Sequence, residues 1–140
     1  MAVDRKFLGT VATIVGTAGP IVTKYLKDHP EILQSVQESV ARLVAKRTNG
    51  PAGMLETIAV LREQVSYLRT SADDDAESRR AQDWSRRLDN LEHATHLLRD
   101  GASRREKKAV REKLMAVRGE ILAGFIAEKA EDSRAGELER

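Results

Sequence analysis

The chain predicts an all-α fold: an antiparallel helical bundle with a long C-terminal helical hairpin and an apolar N-terminal helix. Three observations carry that expectation. Leu, Ala, Arg and Glu dominate the 140 residues, and β-branched runs are scarce outside the first 23 positions. Apolar residues recur every three or four positions along most of the chain, the period of one helix face. Breakers fall between the periodic stretches, at Gly19-Pro20, at Asn49-Gly50-Pro51 and at Asp100-Gly101.

The length suits one domain, or one domain with an arm, and is enough to bury a core without metal or disulfide support. The expected division is an apolar N-terminal helix over 1–28, a helical bundle over 29–130 and a flexible charged tail over 131–140. Cysteine is absent, which removes disulfides, thiolate catalysis and Cys-based zinc sites, and is compatible with a reducing cytoplasm. Arg outnumbers Lys about two to one and Ala is abundant, the pattern of a GC-rich bacterial genome.

The first helix is expected over 4–27. Residues 7–23 form the one long stretch without a charged side chain, bracketed by Arg5-Lys6 and by Lys24 and Lys27. Leu8, Val11, Val15, Ala18, Val22 and Tyr25 define a stripe that Phe7, Ile14 and Ile21 widen. Gly9, Thr13, Gly16, Thr17 and Pro20 occupy the other side, where small residues permit close backbone approach. Gly19-Pro20 should kink or break the helix, because proline lacks an N–H and clashes with the preceding turn.

Pro30 opens the second helix, with Asp28 or His29 as cap and Glu31 at its positive end. Ile32, Leu33, Val36, Val40, Leu43 and Val44 form its apolar face, and residues 48–51 end it. A third helix over 52–70 carries Met54, Ile58, Leu61, Val65 and Leu68 at heptad-like spacing, a pattern also compatible with a coiled coil. Ser71 and three aspartates, Asp73 to Asp75, lead into a fourth helix ending near Arg99, whose buried stripe is Ala81, Trp84, Leu88, Leu91, Thr95 and Leu98. Ser103 and Glu106 form a capping box for the fifth helix, with Val110, Leu114, Val117, Ile121 and Phe125 along its core face. The last two helices, of about 24–27 residues each, make a hairpin roughly 36–40 Å long. After Ala130 the apolar pattern stops, so the last ten residues are expected to fray.

The N-terminal segment carries the first functional expectation. Phe7, Leu8, Val11, Ile14, Val15, Ile21 and Val22 are the candidate docking residues, for a protein partner or for an anionic membrane surface. That reading makes the chain a non-enzymatic interaction or scaffold protein, cytoplasmic and associated with the inner face of the cell membrane through its first helix. Self-association through the heptad-like stripes fits the same class. A core helix, a secretory signal and a membrane span compete for the same residues. Asp4 and the interrupting Gly, Thr and Pro weaken the signal, and about 17 residues is the lower limit for a span.

The alternative is a phosphate-binding module for nucleic acid or another anionic phosphate, using Arg99, Arg104, Arg105, Lys107, Lys108, Arg111 and Lys113. Cations in the first turn of a helix oppose its dipole. Residues 73–100 hold eight acidic and five basic side chains, and residues 101–129 hold eight basic and four acidic. The bland expectation is therefore mutual neutralisation across the hairpin, which also makes a formal net charge of +2 weak support for a nucleic-acid partner.

Chemistry-bearing constellations are sparse. Asp89, His93 and His96 share one side of a helix at i, i+4 and i+7, a spacing that zinc can use, but they point away from the apolar stripe and read as solvated surface. Neither histidine has a glutamate three residues before it, as di-metal bundles need. No serine stands in a G-x-S-x-G elbow or a recognised S-x-x-K context, and no glycine-rich phosphate loop occurs. The expectation is no catalytic residue, no metal and no cofactor. Trp84 and Tyr67 read as core aromatics.

Overall fold

The computed structural model describes residues 5–15, 19–45, 50–98 and 101–138, with side chains described for all of these except 5–8, 10, 19, 35, 39, 43–45 and 132–138. Its elements are α1 (Arg5–Val15), α2 (Gly19–Asp28), α3 (Pro30–Ala45), α4 (Pro51–Thr70), α5 (Asp75–Leu97) and α6 (Arg104–Leu138). The described residues contain helices and short turns, as expected for an all-α bundle.

The single first helix expected over 4–27 is in fact two helices, α1 and α2, which pack against each other. Pro20 stands in the first turn of α2, where a missing N–H leaves no hydrogen bond unmade. A single residue, His29, joins α2 to α3. Its carbonyl accepts from the backbone N–H of Ile32 (3.0 Å) and Leu33 (3.2 Å), and its ring stacks on Tyr25 with centroids 4.1 Å apart. Splitting the apolar run leaves short pieces: among the described residues, no helix is long and apolar enough to cross a membrane.

The remaining starts follow their caps. Gly50 caps α4 with Pro51 at its first position. Asp74 caps α5 by accepting from the N–H of Glu77 at 2.8 Å, and the Glu77 carboxylate accepts from the N–H of Asp73 at 2.8 Å. Ser103 accepts from the N–H of Glu106 at 3.2 Å, the cap expected for α6. Gly101, with φ of +83°, makes the left-handed turn between α5 and α6 that a side chain would resist. At the other end, α6 runs to Leu138 rather than stopping at Ala130, through residues rich in the good helix formers Glu, Ala and Arg.

α6 is the common wall of the bundle, packing against α1, α3, α4 and α5. Leu114, Val117, Ile121, Leu122, Phe125 and Ile126 are buried along it. Facing them are Met54, Ile58, Leu61 and Val65 of α4, Trp84, Leu88 and Leu91 of α5, and Ile32, Val36 and Val40 of α3. Each large side chain enclosed in this way contributes about 1.5–3 kcal/mol. Buried Thr57 and Thr95 satisfy their hydroxyls on the carbonyls of Gly53 and Leu91. Gln64, also buried, has no hydrogen-bond partner for either amide atom among the described residues, and leaving such a group unpaired in a core costs of order 1–3 kcal/mol.

Two glycines let α6 serve so many neighbours. A Cβ on Gly119 would lie 2.5 Å from the carbonyl oxygen of Ile14, so α1 rests its backbone on that notch. A Cβ on Gly124 would lie 2.7 Å from the ring of Trp84. Gly9, at an exposed position of α1, has nothing within 4 Å of such a Cβ. Alanine should therefore act oppositely at two helical glycines. Gly9→Ala is expected to raise unfolding free energy by about 0.5–1 kcal/mol through helix propensity. Gly119→Ala is expected to lower it by about 1–3 kcal/mol, because backbone must move. Urea denaturation of both variants checks this; a Gly119→Ala chain as stable as Gly9→Ala would mean that α1 does not sit on α6.

Candidate functional site

The residues expected to dock split between core and surface. Val11, Ile14 and Val15 are buried where α1 lies on α6, and Val22 is half-buried against the same core. Ile21 is 76% exposed. The side chains of Phe7 and Leu8 lie outside the described part. The apolar segment thus spends most of its described large side chains on the bundle's own interior.

The cationic candidates behave in the opposite way. None of residues 103–113 is buried; Lys107 and Val110 are half-buried, and Arg104, Arg105, Lys108, Arg111 and Lys113 are exposed. The enclosed part of α6 begins at Leu114, which is 0% exposed. The first three turns are therefore an exposed arm, with Val110 packed against the core and six cations against Glu106 and Glu112. Arg99 lies outside the described residues. Arg104, Lys107, Lys108 and Arg111 recur at i, i+3, i+4 and i+7 and so share one face. Lys108, Arg111, Glu112 and Met115 line a shallow hollow of ≈ 270 Å³ on that side.

The expected neutralisation of this arm by the acidic side of α5 does not occur among the described residues. Asp89 and Glu92 turn to α4, where Arg62 donates to them at 2.7 and 2.8 Å. Burial works against the charge of Arg62, but its hydrogen bonds to the two carboxylates outweigh that and raise its pKa. The described ion pair across the α5–α6 hairpin has reversed polarity: Arg87 of α5 donates to Glu120 of α6 at 2.9 and 2.7 Å. That bond holds the Glu120 carboxyl below the usual carboxylate range. On the arm itself, Lys108 meets Glu112 at 3.9 Å with both side chains well exposed, a contact worth little in water. Arg104, Arg105, Lys107, Arg111 and Lys113 make no ion pair among the described residues.

Arg118 extends the same face one turn into the bundle, at i+7 from Arg111. Its Nε is buried with no hydrogen-bond partner among the described residues. Burial lowers its pKa, and the nearby charge of Arg111 lowers it further. A guanidinium keeps its proton regardless, so a desolvated cation faces another cation there.

Three further features complete the surface. A groove of ≈ 380 Å³ runs between α5 and α6, lined by apolar Leu91, Ala94, Val110 and Val117 and by polar Arg87 and Lys113. Leu97, 70% exposed, lies one turn beyond Ala94 on α5. At the far end of the hairpin, carboxylate oxygens of Asp73, Glu128 and Glu131 lie within 4.8 Å of one another. They offer the oxygen ligands hard cations prefer, but with one oxygen from each residue they supply only part of a Ca²⁺ shell of about 6–8 oxygens. Sequence reasoning missed this cluster because 55 positions separate Asp73 from Glu128 and only the antiparallel packing unites them. Asp89 is engaged by Arg62 rather than gathered with His93 and His96, both exposed.

The arm's charges also bear on stability. Replacing first-turn cations with Arg104→Glu and Arg105→Glu should favour the positive end of α6, raising unfolding free energy by about 0.3–1 kcal/mol each at low ionic strength. Thermal melts at low and high salt test this, the gain shrinking as salt rises. A loss of stability instead would mean that these arginines hold carboxylates within the chain. No protein-family model, curated protein or solved structure matches this chain.

Proposed function

We propose that this is a non-enzymatic helical interaction protein that contacts a partner bearing many anionic groups through the cationic arm of α6. The observation that carries the proposal is the arm itself: ten residues of which none is fully buried, with five cations that make no ion pair among the described residues. Positive charge clustered without counter-ions raises the free energy of the isolated chain and falls in the presence of an anionic surface. The half-buried Arg118 beside Arg111 extends the same unmet demand for negative charge. Enclosure of Val11, Ile14 and Val15 favours the arm over the N-terminal segment as the contact surface. Aromatic side chains that could stack bases are absent from the arm, which favours charge recognition over sequence readout.

A random-sequence DNA duplex serves as a generic polyanion. Binding measured across a salt series should weaken steeply, with a log–log slope of roughly −3 to −4 if the four cations of one face each meet a phosphate. The triple variant Lys107→Glu, Lys108→Glu, Arg111→Glu should lose at least tenfold in affinity at low salt and most of that slope. Failure of the wild-type chain to bind at low salt, or equal binding by the variant, would refute the arm as the contact surface.

A further inference from the structure

α6 carries opposite charge at its two ends, and both are placed against its own dipole. Its start is the cationic arm, where the helix end is already positive. Its last turn has no basic residue, and Glu131, Asp132 and Glu137 lie toward that negative end, with Arg134 among them. The antiparallel packing of α5 adds to the polarity. It brings Asp73, Asp74 and Asp75, all exposed, beside the later part of α6, where Asp73, Glu128 and Glu131 already crowd their carboxylates within 4.8 Å. The Nζ of nearby Lys129 lies over the Tyr67 ring, 4.2 Å from the centroid. Arg80 is the single cation lining the adjacent hollow, together with Glu77, Glu128 and Glu131.

The two poles cannot meet within one molecule. Lys108 and Glu131 stand on the same helix, 23 residues apart, or about 35 Å at 1.5 Å per residue. That is several times the Debye length of about 8 Å at physiological salt. A rigid helix therefore presents an unmet positive surface at one end and a crowded negative surface at the other, and a second molecule can satisfy both.

We infer that the chain associates head to tail with copies of itself, the cationic arm of α6 in one copy resting on the acidic end of the next, around Asp73, Asp75 and Glu131. This inference rests on the reading of the arm as an anion-seeking surface and names its partner. The two contact surfaces differ, so the association is heterologous and continues into rings or open chains unless its rotation closes. Exposed charges on both sides make it salt-sensitive and fast to form.

Sedimentation velocity of the full chain across a concentration series tests it. At low salt the average mass of the wild-type chain should rise with concentration above 15.6 kDa, and it should return to the monomer at high salt. An arm swap (Lys107→Glu, Lys108→Glu, Arg111→Glu) and a pole swap (Asp73→Lys, Asp75→Lys, Glu131→Lys) should each weaken self-association at least tenfold. A chain carrying both swaps restores opposite poles and should associate again. Circular dichroism verifies that each swap keeps its helices. If one does not, neutral replacements (Lys→Gln and Arg→Gln on the arm, Asp→Asn and Glu→Gln at the pole) take its place. A wild-type chain that binds duplex DNA yet stays monomeric at low salt overturns head-to-tail pairing and leaves the arm's role standing. A chain that does neither overturns both. Self-association unaffected by the pole swap also overturns the inference.

Discussion

Everything in this fold depends on α6 touching four other helices along one length. Helices usually keep their axes 8–10 Å apart because side chains hold them off. α6 relaxes that spacing at two points by having no side chain there. At Gly119 the backbone of α1 comes to rest on it, and at Gly124 the Trp84 ring does. Without the first notch α1 would stand away from the bundle and return Val11, Ile14 and Val15 to water. A residue some hundred positions downstream thus decides whether the apolar N-terminus is interior or surface.

The same helix divides into two halves with different solvents. Between Leu114 and Ala130 its core-facing apolar side chains are enclosed, and before Leu114 none of its residues is buried. Arg118 sits just inside the boundary, half-buried and facing Arg111. The enclosed half fixes the fold. The free half carries charges that its own dipole disfavours and that the rest of the described chain leaves without carboxylates. Arg62 is central to this outcome, since it engages the acidic residues of α5 that would otherwise be available across the hairpin. Arg87 and Glu120 then close the hairpin with the charges exchanged.

Much of the architecture was legible because it is local. The stripe Ala81, Trp84, Leu88, Leu91, Thr95 and Leu98 is buried throughout, and the Ser103 cap falls where its chemistry places it. Periodicity reports a helix's own face, but not its rotation after a restart. Ile21 would share the apolar stripe of one unbroken helix; with α2 starting at Gly19, Ile21 turns outward and Leu26 turns fully inward. The candidate site was half legible. The cationic run is plain in the sequence, whereas its lack of partners is not, because that depends on which helix Asp89 and Glu92 face. The cluster of Asp73 with Glu128 and Glu131 lay beyond local reading altogether, as did the isolation of buried Gln64.

Native-state hydrogen exchange along α6 tests the division of this helix most directly. If the arm lies outside the core, amides at 107–112 exchange through local fraying, orders of magnitude faster than those at 117–126, which open only with the whole bundle. The step in protection falls near Leu114. Uniform protection from residue 107 to residue 126 would contradict it, because the first turns of α6 would then have to be enclosed as fully as the rest.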